Sequence, residues 1–333
     1  ERGAAAPLSG GSGGPVTAYI VRRLLWMVFV LLGVAAITFV VAFMVPGDPA
    51  RLYAGTNASP AAIRSIHHQL GLDRPLIVQF VDYIWRVLPP IPIIKPHGLD
   101  FGYSYRYAAP VLPAILQRFP ATAELAIAGV FFEVIIGMPI GILSAIRPGS
   151  FWDRATMVFT FVGLAAPPFW LGLIFLFVFG FLVPIFPIGG YGGLFAPQYL
   201  VLPALTLGLG GAAYYARLLR ACLLDILETD YVRTARAKGL TERQVVLRHA
   251  IPNALTVIVT QLGMDLGYFL AGVVVIETVF AWPGIGKQAV DAIFTLDIPL
   301  VMGTVLFGAI LIVTANLVVD ISYTFLDPRV RYS

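Results

Sequence analysis

Apolar residues in this chain gather into long runs separated by shorter, mixed or basic stretches. The first run, Leu24–Val45, follows Arg22-Arg23 and is closed by Pro46-Gly47-Asp48-Pro49. At about 1.5 Å per helical residue it is long enough for a hydrocarbon core about 30 Å thick. Five more runs follow: Ala121–Ile146, Ala155–Val183, Leu200–Leu224, Ala254–Ile276 and Leu300–Ile321. Ala155–Val183 is overlong and contains Pro167-Pro168. Split there, each piece is too short to cross a bilayer, so the pattern predicts one kinked, tilted helix. The expectation is an all-α integral membrane protein with six transmembrane helices.

The stretches between the runs divide the chain further. Residues 1–18 are rich in Gly, Ala, Ser and Pro and read as a flexible tail ahead of the first helix, 19–45. That helix is too long in its apolar core for a cleavable signal and reads as an uncleaved span. Residues 46–120 form a long region of mixed polarity, in which Leu70-Gly71-Leu72-Asp73-Arg74-Pro75 predicts a helix end and restart. Asp100-Phe101-Gly102-Tyr103-Ser104 predicts a turn. A five-helix core, 121–322, includes a basic loop at 225–253 and leads to a tail at 323–333.

Composition agrees with the runs. The 333 residues are 59% hydrophobic and 12% charged, against about 25% charged in soluble domains. Mean hydropathy is +0.86. The placement of the basic residues gives the isoelectric point of 9.2 its meaning. Arg2, Arg22, Arg23, Arg147, Arg154, seven basic residues between Arg217 and Arg248, and Arg329 and Arg331 fall on one side of a six-span layout. On the other side, residues 184–199 hold no Lys or Arg and residues 277–299 hold only Lys287. Positive charge collects in short cytoplasmic loops, so both termini are expected in the cytoplasm and the region 46–120 outside it. The charge belongs to topology, and a nucleic-acid partner is excluded. Lys95, Lys238 and Lys287 are the three lysines, and none stands in a phosphate-binding Gly-rich loop. A catalytic motif is likewise lacking, and the lone Cys222 reads as inert packing.

Within 225–253, Thr229 or Asp230 can cap a short helix from Tyr231 to Lys238. Gly239 suits the left-handed position that ends it. Thr241 with Gln244 predicts a capping box for a second helix, Glu242–Ala250, and Pro252 is expected to restart the chain as the fifth span. A helix presenting Tyr231, Ala235 and Ala237 fits a groove on a soluble partner better than plain solvent.

This loop resembles the coupling loop in membrane subunits of ABC importers, whose pattern is E-A-A, three residues, Gly, nine residues, I-x-L-P. With Gly239 as the glycine, Ala235, Gly239 and Pro252 match, whereas Arg233, Thr234, His249 and Ile251 replace the pattern's Glu, Ala, Ile and Leu. The version Asp230-Tyr231-Val232-Arg233-Thr234-Ala235-Arg236-Ala237-Lys238-Gly239 is similar to the peptide/nickel branch. So are Val45-Pro46-Gly47-Asp48-Pro49, Leu70–Pro75, Phe101–Ser104, Trp282-Pro283-Gly284-Ile285-Gly286 and Leu326–Tyr332. The resemblance covers about residues 18–333 and implies a permease subunit of an ATP-driven di- or oligopeptide importer in the cytoplasmic (inner) membrane of a bacterium or archaeon.

It further implies a second, homologous permease subunit, two ATPase subunits that hold ATP and magnesium, an extracytoplasmic substrate-binding protein, a peptide substrate, and surrounding membrane lipid. This chain then needs no cofactor of its own. Tyr231, Arg233, Thr234, Ala235, Arg236, Ala237, Lys238, Gly239 and Pro252 are the residues expected to couple it to the ATPases. Asp73, Arg74, Tyr103, Trp282, Pro283 and Gly284 are candidates for meeting the binding protein, or else for capping helix ends.

Ionisable groups inside a span are costly and need a partner or water. Glu133 and Asp265 fall near mid-span and either line a translocation path or bond between helices; Glu124 and Asp320 lie nearer span ends. Gly137-Met138-Pro139-Ile140-Gly141 and Gly208 with Ala212 predict close helix contacts. His67-His68 reads as a solvated pair, since neighbouring helical residues point to different sides. Other readings are a proton-driven transporter using Glu133 and Asp265, a membrane-embedded enzyme, and an importer of a nickel chelate or glutathione. The first two lack matching repeats or a nucleophile–base set.

Overall fold

The computed structural model describes residues 14–44, 48–55, 58–69, 71–88, 99–104, 106–193 and 196–326. Expectations that rest on residues 1–13, on Val45-Pro46-Gly47, on Leu70 and on the C-terminal Asp327–Tyr332 lie outside the described residues.

The first apolar run forms α1 (Gly14–Met44). Asp48 then caps α2 (Pro49–Ala54) by accepting a 3.0 Å bond from the Ala50 N–H, with Pro49 in the first turn, where its missing N–H does no harm. α3 (Pro60–Gln69) and α4 (Leu76–Val87) flank Gly71, which turns at φ 67°. The expected end and restart is present. The turn at Asp100–Ser104 is also present: Asp100 Oδ1 accepts from the Gly102 N–H at 2.8 Å, and Gly102 adopts φ 92°. It leads into a two-residue antiparallel pair, β1 (Tyr103–Ser104) with β2 (Ala109–Pro110).

α5 (Val111–Ile146) begins at Val111 rather than at the expected Ala121. Its first turns are buried because Val111 and Ile115 pack with Phe101 and Leu300, a tertiary contact that hydropathy along the chain does not register. The overlong run does not form a kinked rod. α6 (Phe151–Ala165) and α7 (Pro168–Phe175) meet at a 103° bend, and α7 runs on into a wide π turn, Leu176–Leu182. Each proline disfavours helical geometry in the residue before it. Ala166 and Pro167 accordingly both sit in extended conformation, and two such residues in a row break a helix.

α8 (Gln198–Leu227) lies along α5. A Cβ built on Gly129, Gly137 or Gly141 would stand 2.6 Å from the Leu207 side chain, 2.7 Å from the Ala212 carbonyl or 2.8 Å from the Ala216 carbonyl. The small-residue spacing therefore does bring two backbones together. Partners rise in step along both helices, so α5 and α8 are parallel. A chain that leaves one end of α5 and starts α8 at the other end must cross in between. The broken α6–α7 pair is that crossing, and counted as one span it brings the candidate spans among the described residues to six.

After α8 come α9 (Asp230–Ala237) and α10 (Glu242–Val245). A π turn, Val246–Ala250, passes without interruption into α11 (Ile251–Leu270). Pro252 does not restart the chain. It sits in the turn directly after the widened one, where the Ile251 N–H reaches back to the Val246 carbonyl, and the helix tolerates it there. α11 stops at Leu270, not Ile276, because Gly272 turns at φ 107° with Gly286 packed against it. α12 (Val274–Val279), α13 (Ile285–Phe294) and α14 (Ile298–Leu326) complete the chain.

α11 and α14 are antiparallel: Gly263 meets Val319 and Gly267 meets Ala315. Arg23 near the start of α1 pairs with Asp320 near the end of α14 at 2.9 Å. Both ends of the described chain thus lie on the side of the α9–α10 hairpin, the side that the basic residues assign to the cytoplasm. A partly buried triad pins the same end. Asp153 of α6 accepts bonds from Arg220 of α8 at 2.7 and 3.0 Å and from Ser144 of α5 at 2.5 Å.

Candidate functional site: a polar cluster at mid-membrane and two helix pairs at its ends

Glu133 of α5 and Asp265 of α11 stand on facing helices, each about 20 Å along its helix from the cytoplasmic end. They form one cluster with Tyr215 of α8. The Tyr215 hydroxyl donates to Asp265 Oδ2, and Gln261 Nε2 donates to Asp265 Oδ1 at 3.2 Å. Glu133 is 1% exposed, and its Oε2 has no hydrogen-bond partner among the described residues. Its other oxygen lies over Gly211, where a Cβ would come within 1.8 Å. Glycine at 211 is therefore the condition for the carboxyl to be there at all. Tyr215 and Gln261 were missed in the sequence because hydroxyls and amides are ordinary inside apolar helices. Their offset from Asp265 was the available signal, four residues back for Gln261.

On the cytoplasmic side the hairpin is built largely as its sequence predicts. Thr229 stands at the N-cap position of α9 but does not cap it, because its hydroxyl donates back to the Ile226 carbonyl, and Gly239 ends the helix at φ 82°. Thr241 and Gln244 make both bonds of a capping box. Val232, Ala235 and Val245 form a small buried patch with Ile226, Leu227 and Leu240 packed around it. Arg236 bridges to Glu242 at 2.6 Å, and this bond holds its guanidinium above its ordinary value. Asn253 Nδ2 donates to the Tyr231 hydroxyl at 2.9 Å and to the His249 carbonyl at 2.8 Å, tying α9 to the start of α11.

Ala235 is 6% exposed, so it is not part of the outward face. That face consists of Tyr231, Arg233, Thr234, Arg236, Ala237, Lys238 and Gly239. Pro252 belongs to α11 behind it.

At the opposite end, Trp282 is 1% exposed and its indole N–H donates to the Ala121 carbonyl at 2.8 Å. Tyr191 packs edge-on against it. Glu277, which the sequence reading passed over, is the centre of this region. One carboxyl oxygen accepts from the Thr122 hydroxyl at 2.7 Å and the other from the Lys287 N–H at 2.8 Å. Thr122 in turn accepts from the Ile285 N–H at 2.9 Å. Gly284 at the start of α13 has no side chain to cap it, and Glu277 supplies the acceptor instead. A Cβ on Gly284 would fall 2.2 Å from that carboxyl. Burial pushes the Glu277 carboxyl up, against the pull of bonds from Lys287, Thr122 and Gly286.

The other extracytoplasmic candidates are in the first inter-span region. Asp73 pairs with His68 at 2.8 Å, and this bond lowers its carboxyl. Arg74 pairs with Asp82 at 3.0 Å. The Tyr103 hydroxyl donates to the Ala108 carbonyl. Ser104 donates to Asp297, which also accepts from the Arg106 N–H at 3.0 Å and so ties the β pair to the start of α14. His67 and His68 face separate aspartates, Asp48 and Asp73. Among the described residues no three His, Cys, Asp or Glu side chains converge as metal ligands would.

Comparison with known proteins agrees with this architecture. The family described as "Binding-protein-dependent transport system inner membrane component" matches residues 137–332, and the N-terminal model of the same system matches residues 16–126. The "Probable D,D-dipeptide transport system permease protein" of Escherichia coli is 41% identical over 93% of this chain and 97% of its own length. The glutathione transport system permease protein of Salmonella typhimurium is 39% identical over 94% and 99%. Among solved structures, a chain of the MetNI methionine ABC transporter in an inward-facing conformation aligns at TM-score 0.50 and 21% identity, over 66% of this chain and 96% of that one, a likeness of fold alone. A multi-pass helical chain, matched along nearly its whole length, belongs to the binding-protein-dependent transport system inner membrane components, the permease subunits of ABC importers.

Proposed function

We propose that this chain is one half of the membrane channel of an ATP-driven peptide importer, and that the α9–α10 hairpin carries the motion of separate ATPase subunits into it. The observation behind this reading is the hairpin itself. It is braced by its own apolar patch, a capping box and the Arg236–Glu242 and Asn253–Tyr231 links. A stiff, basic, outward-facing helix pair fits a groove on a soluble partner better than it fits a passive connector.

In this reading ATP and magnesium stay on the ATPase chains, and a second, homologous permease completes the path. Closure of the ATPase pair displaces the outward face of α9, and the spans repack to open the opposite side. To move such a two-state equilibrium from 1:99 to 99:1, ATP must favour one state by about 5.5 kcal/mol. Asp265, which is only partly buried, supplies a polar group at mid-membrane for a peptide's backbone or termini, with the buried Glu133 and Tyr215 behind it. The names of the dipeptide and glutathione relatives support small peptides as the substrate class. In this reading Asp73, Arg74 and Tyr103 meet a soluble binding protein, while Trp282, Pro283 and Gly284 brace the ends of the helices they contact.

The test is extraction of the chain from its native membrane in mild detergent, mass spectrometry of what accompanies it, and peptide uptake after reconstitution. A second six-span permease together with P-loop ATPases, and uptake that requires ATP, are expected. Uptake by the chain alone under a proton gradient, without ATP, would overturn the proposal.

A further inference from the structure

α4 has three faces where an amphipathic helix needs two. At 100° per residue, Phe80, Tyr83, Ile84 and Val87 share one sector, and it packs onto the bundle. Gln79, Asp82 and Arg86 share a second, polar sector. Ile77, Val78, Val81 and Trp85 share a third that is apolar and open, with Ile77 73% and Trp85 48% exposed.

Two neighbours fix the height of this helix. Its packed face rests on Phe39 and Ala42, at the far end of the apolar stretch Val21–Ala42 of α1. It also rests on Ile298 and Met302, in the first turns of the spanning segment Ile298–Ser322 of α14. Both helices therefore place α4 where hydrocarbon gives way to water, on the side away from the hairpin. Beside it the outward residues of α1, Ile37, Val40 and Val41, form part of the exposed apolar surface of a membrane span. The open sector of α4 is apolar and exposed in the same way. A tryptophan at this level, with charged groups on a separate sector, matches an interfacial helix.

We propose that Ile77, Val78, Val81 and Trp85 of α4 are seated in the extracytoplasmic leaflet, with phospholipid acyl chains as their partner, and that α4 moors the first inter-span region to the bilayer. The polar sector, with the Arg74–Asp82 pair, then faces the water and is the part a soluble protein can reach. This inference rests on the membrane-spanning fold and holds whatever the importer carries.

The test uses the importer purified with its partner subunits and reconstituted in phosphatidylethanolamine/phosphatidylglycerol vesicles. In a Cys222→Ser background, Ile77→Cys, Val81→Cys and Arg86→Cys each take a nitroxide label, and relaxation by oxygen is compared with relaxation by a water-soluble nickel chelate. Labels at 77 and 81 are expected to favour oxygen, at a depth of about 5–10 Å below the headgroup phosphates, whereas the label at 86 favours nickel. Nickel access at 77 and 81 equal to that at 86 would put the face in water. Shielding from both reagents would mean that protein covers it. Either result overturns the mooring.

Discussion

Two short helix pairs interrupt the spans at opposite ends of the molecule, and they are held in opposite ways. The α9–α10 hairpin is clasped by a partly exposed ion pair, a capping box and a patch of small apolar residues. The α12–α13 pair is pinned to α5 by a buried indole and a buried carboxyl. Exposed ion pairs are weak, whereas a buried donor stripped of its acceptor is expensive. The hairpin is therefore held mainly by local contacts and travels with α11, into which α10 continues, while the opposite pair moves only if α5 moves with it.

The largest effect expected from breaking this contrast is at Trp282. Trp282→Ala removes a buried ring together with its bond to the Ala121 carbonyl, and a loss of about 3–5 kcal/mol follows. It should appear as a drop in unfolding temperature and in the amount of protein recovered from the membrane. Next come two neighbours that the sequence treated alike. Ala235→Glu places a charge in the apolar patch and is expected to unfold the hairpin, lowering both ATP hydrolysis and uptake. Ala237→Glu, on the outer face, should leave the fold intact and reduce uptake per ATP hydrolysed. Equal behaviour of the two variants would end the assignment of an inner and an outer face. Arg236→Ala should lower stability by only about 0.2–1 kcal/mol, read from thermal unfolding in low and high salt.

The smallest effect is a dependence on pH. Because Glu277 has a folded pKa above its ordinary 4.5, its neutral form is favoured in the fold. The stability it contributes is complete below that value and is lost as pH rises through the folded pKa. Unfolding temperature measured from about pH 5 to 8 should fall more steeply for the native chain than for Glu277→Gln.

The two pairs also differ in how far they were legible beforehand. Gly239, Thr241 and Gln244 announce a helix end and a helix start through local chemistry, and the hairpin could be read from them. Which side of α9 faces inward could not, since Ala235 and Ala237 differ only in what Val245 and Leu240 bring near them. The opposite pair depends on contacts between residues far apart in sequence. Glu277 lies one position beyond the expected end of the fifth span, and Trp282 reads as an exposed loop aromatic until Ala121 is seen beside it. Helix ends followed the same logic. Val111 extends α5 because Phe101 covers it, and Gly272 shortens α11 because Gly286 crowds it. Six crossings were legible from hydropathy, but the 103° bend was not, because a single Pro-Pro pair permits a kink or a break.

The unbroken course of the chain past Pro252 gives the molecule a mechanical property. From Glu242 to Asp265 the backbone is one helix, a rod about 35 Å long with the hairpin at one end and the mid-membrane carboxylate near the other. A rod of that length pivoting by 5° about its cytoplasmic end would carry Asp265 sideways by about 3 Å, roughly the reach of one hydrogen bond. Tyr215, on a different helix, need not travel with it. A tilt too slight to disturb the packing around the hairpin would thus be enough to exchange the partners of Asp265.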